Sequence, residues 1–235
     1  MIDEKKLIAK AMQEISFDKS FLITSLKEVD YGIANEIKEK LDIKELTGKD
    51  VGIRFVDVND YVKLNVDGDK GLRKVPDAIM INVLKTKISD SKNIYIAISP
   101  DVNDSSLIHE LAHALDYLTG GVLPAFARAL SLEYFLPLEH LEHPYEFGKW
   151  FSYLKEKFQV IPDAEDTIVC ILYEEGLLIK NSDIKNPKGE VLKRKSDAII
   201  RYLSENSEKI HSLIKDLPGY LPPRASKAPP KIEES

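Results

Sequence analysis

Apolar positions along the chain change their spacing several times, and each change marks a different kind of element. Over residues 2–45 they recur at three and four: Leu7, Ile8, Met12, Ile15 and Phe17, then Ile33, Ile37 and Leu41. That period predicts helix, broken into two or three pieces near residues 16–19 and at Asp30-Tyr31-Gly32. Over 51–64 the run VGIRFVDVNDYVKL alternates apolar and polar positions and is rich in β-branched residues, which predicts a strand. Residues 66–71 read as a turn. The run NVDGDKG there has the look of a calcium loop but lacks the closing bidentate Glu. Two more strands are expected at 78–84 and 93–98.

From residue 105 the helical period returns. Leu107, Leu111, Ala114, Leu115 and Leu118 form a stripe, Asp104, Ser105 and Ser106 offer N-caps, and Gly120-Gly121 supplies a stop. Further helices are expected at 123–134, 144–155, 163–175 and 196–216. A solvated bend holding His140 and His143 is expected at 137–144, and a polar link at 181–193. The five prolines at 218, 222, 223, 229 and 230 predict an extended tail. This order predicts an α+β fold with a small mixed sheet. Residues 1–121 would form an N-terminal lobe, 122–217 a mostly helical C-terminal lobe and 218–235 a Pro-rich tail.

The helix at 105–121 carries the candidate chemistry, His109-Glu110-Leu111-Ala112-His113. Residues four apart share a helix face, so the two imidazoles project side by side. They can supply two of the three protein ligands of a catalytic zinc, with Glu110 as general base toward a water. The competing possibilities are a solvated His-Glu-His face or a pair of core histidines, in a chain that has only five histidines.

Composition narrows the partners. The chain has 235 residues, 43% of them hydrophobic and 31% charged, as in an ordinary globular protein. A net charge of −6 gives no reason to expect nucleic acid or an anionic membrane. A single cysteine, Cys170, excludes an intrachain disulfide, and its apolar setting reads as buried packing. The charged N-terminus is unlike a signal peptide, and no run of eighteen apolar residues occurs, so a cytoplasmic protein is expected.

A third metal ligand has to come from further along, where Asp116, Glu133, Glu139, His140, Glu142, His143 and Glu146 are the candidates. Asp116 shares the face of the two histidines, but one rigid helix cannot easily wrap three ligands round a metal. It reads instead as an acceptor for a ligand's far N–H, or as an ordinary helix Asp. Glu133 falls in line with Phe126, Ala129 and Leu130, and an inward acid is costly unless paired or metal-bound. Glu146 opens the next helix in an aromatic setting, where a first-turn Glu is also stabilising on its own account. These alternatives stay open on the residues alone.

HELAHALD, followed by a helix beginning PYEFGKWFSYL, resembles the gluzincin branch of the zincin metallopeptidases. The likeness is to the lethal-factor-like and Pro-Pro endopeptidase type, and to HExxH domains of phage polyvalent proteins. It covers roughly residues 98–154. It implies a zincin-like fold with His109, His113 and Glu146 as zinc ligands, Glu110 as base and a peptide or protein substrate. The pair Gly148-Lys149 departs from that pattern. So does Glu139, which stands where such enzymes carry an oxyanion-binding Tyr; Tyr117, Tyr134, Tyr145 and Tyr153 are the candidates left. Backbone groups of 95–97 are expected to align a peptide as an added strand. The alternatives are a catalytically weak zincin-fold regulatory module and a helical interaction module with an accidental HExxH.

Overall fold

The computed structural model describes residues 26–63, 78–81, 93–122 and 124–220. The expected helix before residue 26, the turn at 66–71, residues 82–84 and the tail beyond 220 lie outside the described residues. Two short helices come first, α1 (Ala34–Lys40) and α2 (Ile43–Thr47). The Asp42 side chain caps α2 by accepting from the Glu45 N–H at 2.9 Å.

Strand β1 (Gly52–Asp57) is followed at once by helix α3 (Val58–Lys63). The expected strand over 51–64 is thus corrected in its second half. Asp57 is the cause. Its Oδ1 accepts from the N–H groups of Asn59, at 2.8 Å, and Asp60, at 3.3 Å, which starts a helical turn. Val58 and Tyr61, three apart, are both buried and suit that turn.

Strands β2 (Ala78–Ile81) and β3 (Asn93–Ile98) complete a three-stranded mixed sheet in the order β1-β3-β2. β3 pairs parallel with β1 and antiparallel with β2. Tyr95–Ala97 therefore lie on the central strand, engaged by Arg54–Val56 on one side and Ile79–Ile81 on the other. This corrects the expectation that they align a peptide, because their side of the ladder is taken on both flanks. Among the described residues, β2 pairs only with β3.

Helix α4 (Asp104–Leu118) packs against β2 and β3 and, most extensively, against α7 (Tyr145–Phe158). Its cap is Asn103, one residue upstream of the expected ones. The Asn103 side chain accepts from the Ser105 N–H at 2.9 Å. That leaves the Ser105 hydroxyl, which is fully buried, free for another partner. Between α4 and α7 lie α5 (Pro124–Tyr134) and α6 (Glu139–Glu142). α7 buries Phe147, Phe151, Leu154 and Phe158 at helical spacing.

The last four helices are α8 (Ala164–Glu174), α9 (Asn181–Lys185), α10 (Gly189–Glu205) and α11 (Ser207–Ile214). The single helix expected over 196–216 is broken at Asn206, whose Nδ2 donates to the Tyr202 carbonyl at 2.9 Å in competition with the helical ladder. One continuous cluster of buried residues runs from Ala34 and Phe55 through Leu111 and Phe147 to Leu192 and Ile199. It lies on both sides of Gly121. Among the described residues, no helix is long and apolar enough to cross a membrane.

Candidate metal centre

The stripe of α4 buries Leu107, Leu111, Ala114 and Leu115 completely or nearly so. This sets the opposite edge of the helix, with His109, Glu110 and His113, along a cleft. The Nε2 atoms of His109 and His113 stand 3.1 Å apart. The third member of the group is His143, which ends α6 and precedes the Pro144 cap of α7. One ring nitrogen from each of His109, His113 and His143 lies within 4.8 Å of the others, the one such cluster of His, Cys, Asp or Glu among the described residues.

His143 is 7% exposed, so the expected solvated bend is corrected here. The reason is legible in the packing. Residues 143, 147, 151, 154 and 158 extend one buried face, and His143 is its head. Its ring stacks on His113 at 5.3 Å between centroids. The Phe147 ring backs all three imidazoles, at 5.0, 4.4 and 4.7 Å from His109, His113 and His143.

Behind His109 stands Asp166, in the first turn of α8 and 2% exposed. Its Oδ1 is 2.6 Å from His109 Nδ1, and its Oδ2 accepts from the Ser105 hydroxyl at 2.7 Å. Ser105 Oγ in turn accepts from the Asp163 N–H at 3.1 Å. With Nδ1 committed to the carboxylate, His109 presents Nε2 toward the other two rings, as a metal-bound imidazole does.

Burial opposes charge on all three rings. At His109 the hydrogen bond and charge of Asp166 outweigh it, and the pKa rises to about 9. Burial, with charge on His109 and His143, holds His113 well below the ordinary imidazole range. Burial and the charge on His109 lower His143 to about 3. Without a metal the trio thus carries one positive charge at neutral pH, on a doubly protonated His109.

The other expected site residues fall in different places. Glu110 lines the cleft with the histidines. Glu146 does not belong to the cluster of ring nitrogens; its Oε2 accepts from the Asn181 N–H at 2.8 Å. Asp116 is buried, and its Oδ1 accepts from Asn181 Nδ2 at 2.7 Å rather than serving an imidazole. Burial and the charge of Glu146 push Asp116 up to about 7, against the pull of the Asn181 bond and Lys185. Glu133 is exposed near the end of α5, so the cost that argued for an inward acid does not arise. His140 lies outside the cluster, its Nδ1 2.8 Å from the buried Ser196 Oγ.

The cleft has a volume of about 410 Å³. Tyr117, Glu142 and Glu165 line it together with the apolar Val122, Pro124, Ala127 and Leu141. Tyr117 is the one tyrosine of the four candidates on its wall. Burial raises its phenol and both glutamates above their ordinary values. No family model, curated protein or solved structure matches the chain.

The donor set fits a divalent ion that favours nitrogen. Two nitrogens bound at about 2.0–2.1 Å in a tetrahedron stand about 3.3 Å apart, close to the 3.1 Å between His109 and His113. Three neutral imidazoles with an open side toward a cleft suit zinc and leave room for water. The carboxylate behind one of them is the usual device for fixing the ring.

Proposed function

We propose that the chain is a zinc-dependent hydrolase acting on peptide bonds, with His109, His113 and His143 holding the metal and Glu110 as general base. The observation that carries the reading is the convergence of three ring nitrogens beside Glu110 in an open cleft, one of them fixed from behind by Asp166. A bound zinc supplies Lewis acidity and lowers the pKa of water. Glu110 takes the proton of the attacking water and returns it to the leaving nitrogen. Asp166 holds His109 in one tautomer, and Phe147 keeps water from the rear of the rings. The peptide as substrate rests on the resemblance of HELAHALD and the helix that follows it. The reading differs from the gluzincin set in taking an imidazole, not Glu146, as third ligand.

Metal content of freshly purified protein tests the ligand set. About one zinc per chain is expected, lost in His143→Ala and retained in Glu146→Gln and Glu133→Ala. Loss in Glu146→Gln with retention in His143→Ala would restore the glutamate as ligand. Glu110→Gln should keep the metal and lose cleavage of a peptide library. Zinc binding without cleavage by the parent would leave a metalloprotein of the regulatory kind.

A further inference from the structure

The two acids that share the neighbourhood of the site, Asp116 and Glu146, are held by one residue. Asn181 opens α9 and is 6% exposed. Its backbone N–H donates to Glu146 Oε2 at 2.8 Å, and its side-chain Nδ2 donates to Asp116 Oδ1 at 2.7 Å. Asp116 follows His113 by three residues on α4, and Glu146 follows His143 by three at the start of α7. Asp116 is thus about one helical turn beyond His113, and Glu146 lies in the first turn of α7, just past His143 and its Pro144 cap. The segment around Asn181 reinforces the tie. The Tyr145 N–H donates to the Ile179 carbonyl at 2.8 Å, and Lys185 Nζ donates to the Gly120 carbonyl.

Packing alone does not account for an asparagine here. Its Oδ1 is buried and has no hydrogen-bond partner among the described residues. An amide buried with its oxygen unpaired is a net cost, and a leucine would fill the same space without it. What the amide adds is a directed bond to α4, which carries His113, from a residue whose backbone already holds α7 just past His143; the two rings stack at 5.3 Å. We propose that Asn181 is a positioning residue that sets the spacing of His113 and His143, and through it the affinity of the metal centre. This rests on the reading of the trio as a metal site.

The test is the zinc dissociation constant by competition with a chromophoric chelator, together with the d–d absorption of the cobalt(II)-substituted protein. Asn181→Leu keeps the branched shape and removes the arm to Asp116. It should weaken zinc about 10- to 100-fold, as loss of an outer partner does, and shift the cobalt bands. Asp116→Asn keeps an acceptor oxygen for Nδ2 and should bind within about threefold of the parent. If Asn181→Leu does not fold, Asp116→Ala removes the same arm from the other side and should give the same weakening. Zinc binding and cobalt spectra unchanged in Asn181→Leu or in Asp116→Ala would overturn the positioning role while leaving the metal site intact. A parent that takes up neither metal would overturn both.

Discussion

Replacing Asp166 with asparagine removes a charge and keeps the shape. Asp166 is 2% exposed, bonded to His109 at 2.6 Å and to Ser105 at 2.7 Å. An amide has one acceptor oxygen for two donors and no charge to keep a proton on the ring. With burial then opposed only by the charges of Glu110 and Glu165, the His109 pKa should fall from about 9 to its ordinary 6.5 or below. A drop through some two and a half pH units corresponds to about 3 kcal/mol. The folded pKa of the parent is raised, so this stabilisation is complete below the unfolded value. It is lost as pH rises through about 9. Urea unfolding of metal-stripped protein should therefore show a gap between parent and Asp166→Asn that is about 3 kcal/mol wider near pH 6 than near pH 9.5. The His109 ring signals in NMR give the pKa directly. An equal gap at both pH values, or a variant ring still titrating near 9, would refute the argument.

The same proton governs metal uptake. Zinc must displace it, so zinc affinity of the parent should rise about tenfold per pH unit up to about pH 9 and then level off. Calorimetry in buffers of different ionisation enthalpy should count one proton released, and a flat profile would contradict the assignment. Gly121→Ala should cost about 1–3 kcal/mol in thermal unfolding, because an added Cβ would stand 2.4 Å from Asp116 Oδ2 and 2.9 Å from the Asp116 carbonyl carbon. Tyr117→Phe removes a cleft hydroxyl that has no hydrogen-bond partner among the described residues. It should lower kcat/KM about tenfold or more at unchanged zinc content, and full activity would take Tyr117 out of the substrate's path.

The HExxH helix was legible because cap, stripe and terminator lie within seventeen residues and agree with one another. β3 and α7 were legible for the same local reason. The turn after Asp57 was not, because Val58, Tyr61 and Val62 fit a short helix as well as the end of an alternating strand. A side-chain cap decided between them. His143 was visible as a candidate ligand, but the proline and acids around it read as a solvated bend, although it heads the buried face of Phe147 and Phe151. Asp166, in the helix expected at 163–175, was not among the candidate site residues. Its signal was its position on the face of Val169 and Cys170, where an acid needs a partner. Asp116 and Glu146 lie on the two helices that pack beside the site, and residue 181, far along the chain, bonds to both.

His109 and His113 are four residues apart, whereas Asp166 is 57 residues from His109 and His143 thirty from His113. During synthesis, a chain that has emerged only through α4 offers a two-nitrogen chelate and nothing more. The third nitrogen arrives with the start of α7, and the anchor behind the first arrives with α8, only after both have docked on α4. If the trio holds a metal as proposed, tight capture is therefore a late event of folding and reports that the helical half has closed over the HExxH helix. A truncation before α8 would leave all three histidines present in the chain and the site unmade.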